Sequence, residues 1–299
     1  MTRRLIVTGA SGFVGGSIVC QAGDAWEVHA FSGREPPIRR DGLVWHRLDL
    51  LEPGQVTRAF HELRPNAVIH SAAIADIEYC QTHQDEAWRV NVETARLVAE
   101  LCREGGVRLV HVSTDTIFDG EKGGYREDDA PGPVNYYGQT KLAAEAAVVA
   151  TAVNWAIGRL AIVMGLPFFG RGNTFLPKML VALKEGRQVG VPQAEIRTPV
   201  DVVTAGRALL ELAGNEFQGR IHLAGNEVVR RVDMARRIAA HVGFSPDLIV
   251  PNDPSVIPGR VARPRDVSLD NTVARTTLKT PMRELEDAVD LVMRTKMGN

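Results

Sequence analysis

Six short runs of this chain are rich in apolar residues with no regular polar alternation: Leu5–Thr8, Glu27–Phe31, Leu43–Leu48, Ala67–Ser71, Leu109–Ser113 and Trp155–Leu160. A strand with one wetted face alternates polar and apolar residues; a strand covered on both faces does not. Between these runs lie longer stretches that read as helices: Gly12–Gln21, Gly54–Leu63, Glu86–Glu104 and Tyr137–Thr151. Such alternation predicts an α/β fold, a doubly wound parallel sheet with helices on both faces.

The character changes after Met164. Gly165–Gly172 reads as an irregular loop and Phe175–Glu185 as an amphipathic helix. Val200–Leu212 and Arg220–Leu223 resume helix and strand, followed by a helix at Val232–Val242 and the Pro-rich segment Pro251–Pro264. The simplest organisation is a first domain of residues 1–164, joined by residues 200–224, and a smaller, mostly C-terminal lobe of residues 165–199 and 225–299.

The 299 residues, 44% hydrophobic and 24% charged, are those of an ordinary globular chain. A net charge of −1 without a basic run argues against a nucleic-acid or membrane-surface partner. Cys20, Cys80 and Cys102 form no even framework and no metal-ligand spacing, which fits a reducing compartment. The apolar start is broken by Gly9, Ser11 and Gly12 too early for a signal segment, and no run approaches the ~20 residues of a membrane span. A cytoplasmic location is expected.

Thr8-Gly9-Ala10-Ser11-Gly12-Phe13-Val14-Gly15 follows the first strand and opens the first helix. Glycines there allow a tight turn and let a pyrophosphate approach the helix N-terminus, where free N–H groups favour an anion. Strand, turn and helix in this order predict a dinucleotide-binding Rossmann domain. The second strand ends Phe31-Ser32-Gly33-Arg34 with no acid before Glu35. An acid there would read the ribose 2′-hydroxyl of NAD; Ser32 and Arg34, with Arg39 and Arg40 nearby, suit a 2′-phosphate instead. NADP(H) is therefore favoured over NAD(H). Asp49, beside Leu50, suits either a bond to the adenine amino group or a loop cap.

Tyr137 and Lys141 stand four apart at the head of the Ala-rich run Leu142–Ala150, one turn apart on one helix face. A phenol has a free pKa of about 10, and a nearby ammonium pulls it down. Bringing it to about 7 takes roughly 4 kcal/mol of differential interaction, which a lysine and a cationic nicotinamide can supply in a dry cleft. Thr114, at the end of another strand run, suits either a second hydroxyl for a substrate carbonyl or an ordinary strand-end and turn cap. His70 and His111 lie inside apolar runs and read as satisfied core histidines, and His83 has no ligand partner.

Together these residues resemble the extended short-chain dehydrogenase/reductases, most closely the dTDP-4-dehydrorhamnose reductase branch, over nearly the whole chain. The resemblance rests on Thr8–Gly15, Ser71-Ala72-Ala73, Val90-Asn91, Val112–Gly120, Tyr125–Glu127, Tyr136–Lys141 with Glu145, Arg159, Arg263–Asp266 and Leu269-Asp270. It implies a catalytic set of Thr114, Tyr137 and Lys141, with Thr114 and Tyr137 on the carbonyl oxygen. Lys141 would bind the nicotinamide ribose. It implies a cofactor site of Gly9, Ser11, Gly12, Phe13, Val14, Gly15, Ser32, Arg34, Asp49, Leu50, Ser71, Ala72, Ala73 and Asn91. Asp115 and Arg197 join Thr114 and Tyr137 on the substrate side.

The implied substrate is a nucleotide-activated deoxysugar carrying a ketone. Related dehydratases follow the Thr with an acid pair; here Asp115-Thr116 lacks the second acid, which disfavours dehydration. The family's segment before the substrate lobe is replaced by Pro192–Pro199, and no metal-supporting acid is evident near Gly16-Ser17. The chain is also similar to the regulatory β subunits of methionine adenosyltransferase, which keep the fold and cofactor site but act as binding partners. A sugar-nucleotide epimerase is a third possibility. Helices Glu86–Glu104 and Tyr137–Thr151 offer faces for a homodimer.

Overall fold

A computed structural model describes residues 2–34, 38, 41–169, 174–253 and 259–297. Glu35, Arg39, Arg40 and the end of the Gly165–Gly172 loop lie outside the described residues. Seven strands form one parallel sheet: β1 (Arg3–Thr8), β2 (Trp26–Ser32), β3 (Leu43–Arg47), β4 (Ala67–His70), β5 (Arg108–Thr114), β6 (Trp155–Leu160) and a seventh at Gly219–Leu223. Their spatial order is β3, β2, β1, β4, β5, β6 and then Gly219–Leu223, so the order reverses between β1 and β4. Ligands bind at such a switch point, beyond the C-terminal strand ends.

The runs lack alternation because both sheet faces are covered. Leu5 and Val7 of β1 enter the core beneath helices Phe13–Gln21 (α1) and Val202–Gly214. Ile6 enters the opposite core, beneath Pro53–Leu63 (α2), Thr94–Gly105 and Tyr136–Thr151. A third apolar cluster joins helices Phe175–Lys184, Arg231–His241 and Leu285–Met297. No helix among the described residues is long and apolar enough to cross a membrane.

Two expected helices differ. Glu86–Glu104 is interrupted: an α-turn at Gln84–Trp88 runs into a π-turn at Arg89–Glu93 before the helix resumes at Thr94. Helical periodicity alone does not register one inserted residue per turn. Val200–Leu212 begins with a two-residue strand, Val200–Asp201, paired with Val163–Met164. Asp201 then caps the helix, its Oδ1 accepting from the Thr204 N–H at 2.8 Å. A further helix at Ile77–Thr82, capped by Asp76, was not foreseen.

Candidate active site

The loop between β1 and α1 is built on steric constraint. Gly9 has φ +64°, and a Cβ there would lie 2.8 Å from the Ala72 backbone. A Cβ on Gly15 would lie 2.2 Å from the Gly9 carbonyl oxygen. The loop therefore folds against itself and against Ser71-Ala72, and with the head of α1 it lines a cleft of about 900 Å³. A dinucleotide pyrophosphate fits this cradle, whose floor is backbone a side chain would fill. Gly9, Ser11, Gly12, Phe13, Val14 and Gly15 all line it, as do Ser71, Ala72 and Ala73.

A second hollow of about 680 Å³ opens beside the first, bounded by Ser32, Arg47, Asp49 and Leu50. The Ser32 hydroxyl donates to Ser11 Oγ at 2.8 Å and accepts from the Arg34 N–H at 3.1 Å. Arg34 is exposed at the mouth of the first cleft, and Arg47 borders the second hollow. Asp49 Oδ1 accepts from the Leu51 N–H at 2.9 Å, so this carboxylate caps its loop while also bordering the hollow.

Asn91, expected at the cofactor, serves in this structure as a brace. Buried in the π-turn, its amide accepts from the Ile74 N–H at 2.8 Å and donates to Ile74 O and Thr140 Oγ1. Thr140 in turn donates to the Tyr137 carbonyl at 2.8 Å, so the π-turn anchors the first turn of the helix bearing Tyr137. Asn135 caps that helix, accepting from the Gly138 N–H at 2.9 Å. A Cβ on Gly138 would lie 2.5 Å from Thr116 O, so glycine lets the helix start press against the turn after β5.

Thr114, Tyr137 and Lys141 line the same cleft as the glycine cradle. Thr114 ends β5, and its Oγ1 accepts from the Thr116 N–H at 3.2 Å. Lys141 is buried, donating to Val112 O at 2.7 Å and to His111 Nε2 at 3.5 Å. Burial lowers its pKa to about 8 against the opposing pull of Glu145.

Tyr137 departs from expectation. Burial, then the neighbouring Asp115 carboxylate, raise its pKa above the ordinary value; only the Thr114 hydroxyl opposes them. The Lys141 ammonium donates to Val112 O and His111 Nε2, while the charge of Asp115 acts to raise the phenol.

Asp115 is itself buried beside Arg197, with Thr114 and Thr116 hydroxyls donating to its Oδ1 at 3.1 and 3.2 Å. Burial raises its pKa, opposed first by Arg197. Arg197 is held by the carbonyls of Ile196, Pro264 and Arg265 and by Glu195. Glu195 also accepts from Arg231 at 3.0 Å and Arg260 at 2.8 Å. Arg231 and Arg263 line the same cleft as the glycine cradle, and Arg263 also donates to Glu78 at 2.6 Å. The sequence pointed to Arg197 and, within the Arg263–Asp266 segment, to Arg263; Glu195 meets Arg260 across 65 residues, and neither it nor Arg231 carries a local signal.

The two core histidines also differ. His70 is satisfied on both ring nitrogens, by Thr8 Oγ1 at 2.8 Å and Thr94 Oγ1 at 3.4 Å. His111 is not: its Nδ1 is buried with no partner among the described residues. His83 is exposed and stacks on Tyr79. Among the described residues no three His, Cys, Asp or Glu side chains converge as metal ligands.

A family model described as the RmlD substrate binding domain matches residues 3–297. A dTDP-4-dehydrorhamnose reductase of Mycobacterium tuberculosis is 30% identical over 295 residues, 96% of this chain and 91% of that one. The methionine adenosyltransferase 2 subunit beta of Bos taurus is 26% identical, covering 94% of this chain and 85% of that one. The solved dTDP-4-dehydrorhamnose reductase from Bacillus anthracis, in complex with NADP, superposes with a TM-score of 0.85 at 24% identity, over 99% of this chain and all (100%) of that one. That likeness is one of fold. MoeE5 in complex with UDP-glucose and NAD superposes at 0.80 with 25% identity, over 99% of each chain. Because the family match runs from residue 3 to residue 297 rather than over the nucleotide-binding half alone, the chain as a whole belongs to the RmlD substrate-binding-domain family, within the NAD(P)-dependent short-chain oxidoreductases.

Proposed function

We propose that the protein is a cytoplasmic, NADPH-dependent reductase of a ketone on a nucleotide-activated deoxysugar. The observation that carries this is one continuous cleft. It is lined by the glycine cradle, by Thr114, Tyr137 and Lys141, and by Arg197, Arg231 and Arg263. When bound, the reduced nicotinamide supplies hydride. The chain's residues do the rest: Thr114 and Tyr137 hydroxyls hold the carbonyl oxygen, Tyr137 gives it a proton, and Lys141 holds the nicotinamide ribose.

The raised Tyr137 pKa supports reduction, because a reductase needs its phenol protonated before turnover. The arginine-lined part suits a diphosphate, which guanidinium forks bind well. That part is built from the lobe we assign to residues 165–199 and 225–299, with residues 200–224 completing the nucleotide-binding domain. Arg34 and Arg47 beside the second hollow, with no acid ending β2, support NADPH over NADH.

The test is NADPH oxidation with a panel of nucleotide 4-ketosugars. Turnover of one of them supports the reading; NADPH binding without turnover of any overturns it.

The β-subunit relative favours a second reading, a cofactor-binding regulatory subunit. It requires a stable partner complex that Tyr137→Phe leaves unchanged. An epimerase instead would purify with NAD(H) tightly bound.

A further inference from the structure

The parallel register sets Thr8, His70 and His111 side by side across β1, β4 and β5. Thr94 O–H donates to Val90 O at 2.5 Å, so toward His70 its oxygen can only accept. His70 therefore carries its hydrogen on Nε2, and its bare Nδ1 accepts from the Thr8 hydroxyl. The His70 ring lies 5.5 Å from that of His111 at 25°. Lys141 has three N–H donors and no acceptor, so His111 Nε2 must be the bare nitrogen facing it. The hydrogen of the neutral His111 ring then sits on Nδ1, the buried atom without a partner.

An unmatched buried donor is unfavourable, and a core histidine chosen for packing alone would not need one. The alternative tautomer, which would place a hydrogen on Nε2, points a donor at the ammonium. Burial and the charge of Lys141 also keep the ring neutral, well below its ordinary pKa. The arrangement has a use at Lys141. Val112 O and His111 Nε2 take two of the ammonium hydrogens and leave one for the cleft.

We propose that His111 is a positioning residue for Lys141, fixing the ammonium so that one N–H meets the nicotinamide ribose. The His70–Thr8 contact braces it from the cofactor loop. This rests on the reading of Lys141 as a cofactor contact.

The first test is long-range proton–nitrogen NMR on the whole wild-type chain with labelled histidine, His111 being assigned among the 8 histidines by its loss in His111→Gln. A neutral ring with the hydrogen on Nδ1 is expected; a hydrogen on Nε2 overturns the proposal. The second is NADPH titration by fluorescence. His111→Phe, which removes the acceptor, should weaken binding about tenfold, whereas His111→Gln, which keeps one, should stay within about threefold. Equal binding by wild type and both variants overturns the proposal. If His111→Phe does not fold, the wild-type tautomer decides alone. Ketosugar turnover is scored separately: a wild-type protein that binds NADPH yet reduces nothing refutes the reductase reading, while tautomer and binding still decide the role of His111.

Discussion

Glu145 and Arg159 form a two-pronged ion pair inside the sheet–helix interface: Arg159 Nε donates to Oε1 at 3.0 Å and Nη2 to Oε2 at 2.9 Å, both side chains being almost fully buried. Ser113 donates to the same Oε1 at 2.6 Å. Glu145 sits one helical turn beyond Lys141 and is the charge that keeps that lysine's pKa from falling further. Removing one partner of a buried pair strands the other, at about 3–5 kcal/mol. Glu145→Gln should accordingly lower the melting temperature by about 10 °C. Replacing both residues by apolar ones of similar volume should recover much of that loss. A Glu145→Gln protein that melts with the wild type would show the pair to be dispensable.

Lys141 should set the alkaline limb of the pH profile. Its ammonium, buried and lowered to about 8, is lost as pH rises through that value. Tyr137 is displaced upward and stays protonated over the same range. The plot of kcat/KM, which reports the free enzyme, should bend downward near pH 8. A limb near 10 would assign it to the phenol instead. The stability sign is the opposite one. Between about 8 and the ordinary lysine value the unfolded chain binds the extra proton, so folding stability should rise with pH there.

Tyr137→Phe removes the proton donor and leaves the ring. Turnover should fall by about 10²–10⁴-fold with NADPH affinity nearly unchanged. Thr114→Val removes one hydrogen bond to the carbonyl oxygen and should reduce kcat/KM by about tenfold or somewhat more. Steady-state kinetics alongside direct cofactor titration separate the two effects. A Tyr137→Phe protein with full turnover would remove the phenol from the mechanism.

What was legible in the chain follows its physics. Strands covered on both faces must be apolar on both, so β1 to β6 stand out within a residue or two of their ends. Thr114 closes such a strand and Tyr137 opens a helix, so their meeting at one sheet end follows from topology. The bracing role of Asn91 was not legible, because only the π-turn brings its amide to Ile74 and Thr140. The pairing of Val163–Met164 with Val200–Asp201 is two residues long, below any periodic signal. Glu195 meets Arg231 and Arg260 only after the lobe has folded, and nothing local marks that convergence.

Gly15→Ala should separate the cradle from the chemistry. The added Cβ would lie 2.2 Å from Gly9 O and 3.0 Å from Ala10 Cα, both backbone atoms that cannot step aside without moving the loop. Overpacking of this kind typically destabilises by about 1–3 kcal/mol. The loop also carries the N–H groups meant for the pyrophosphate, so NADPH affinity should fall more steeply than stability. Thermal melting and cofactor titration on one preparation compare the two. A variant that melts lower yet binds NADPH normally would show that the anion is held elsewhere.

Cofactor choice should lie with Arg34 and Arg47, because the Ser32 hydroxyl is already committed to Ser11. Both arginines border the hollows on the β2 and β3 side of the glycine loop. A guanidinium–phosphate hydrogen bond contributes about 1.5–3 kcal/mol, so losing one should raise KM for NADPH by about 10–100-fold. NADH has no 2′-phosphate, and its KM should hardly move. Arg34→Ala, Arg47→Ala and the double variant, each assayed with both cofactors, give the ratio that decides. If both KM values rise together, the arginines support the fold of the hollow rather than read the phosphate, and the preference for NADPH loses its basis. If only the NADPH value rises, and rises further in the double variant, the two side chains share the phosphate. Arg34 and Arg47 are both exposed, so both contributions should weaken as salt is raised.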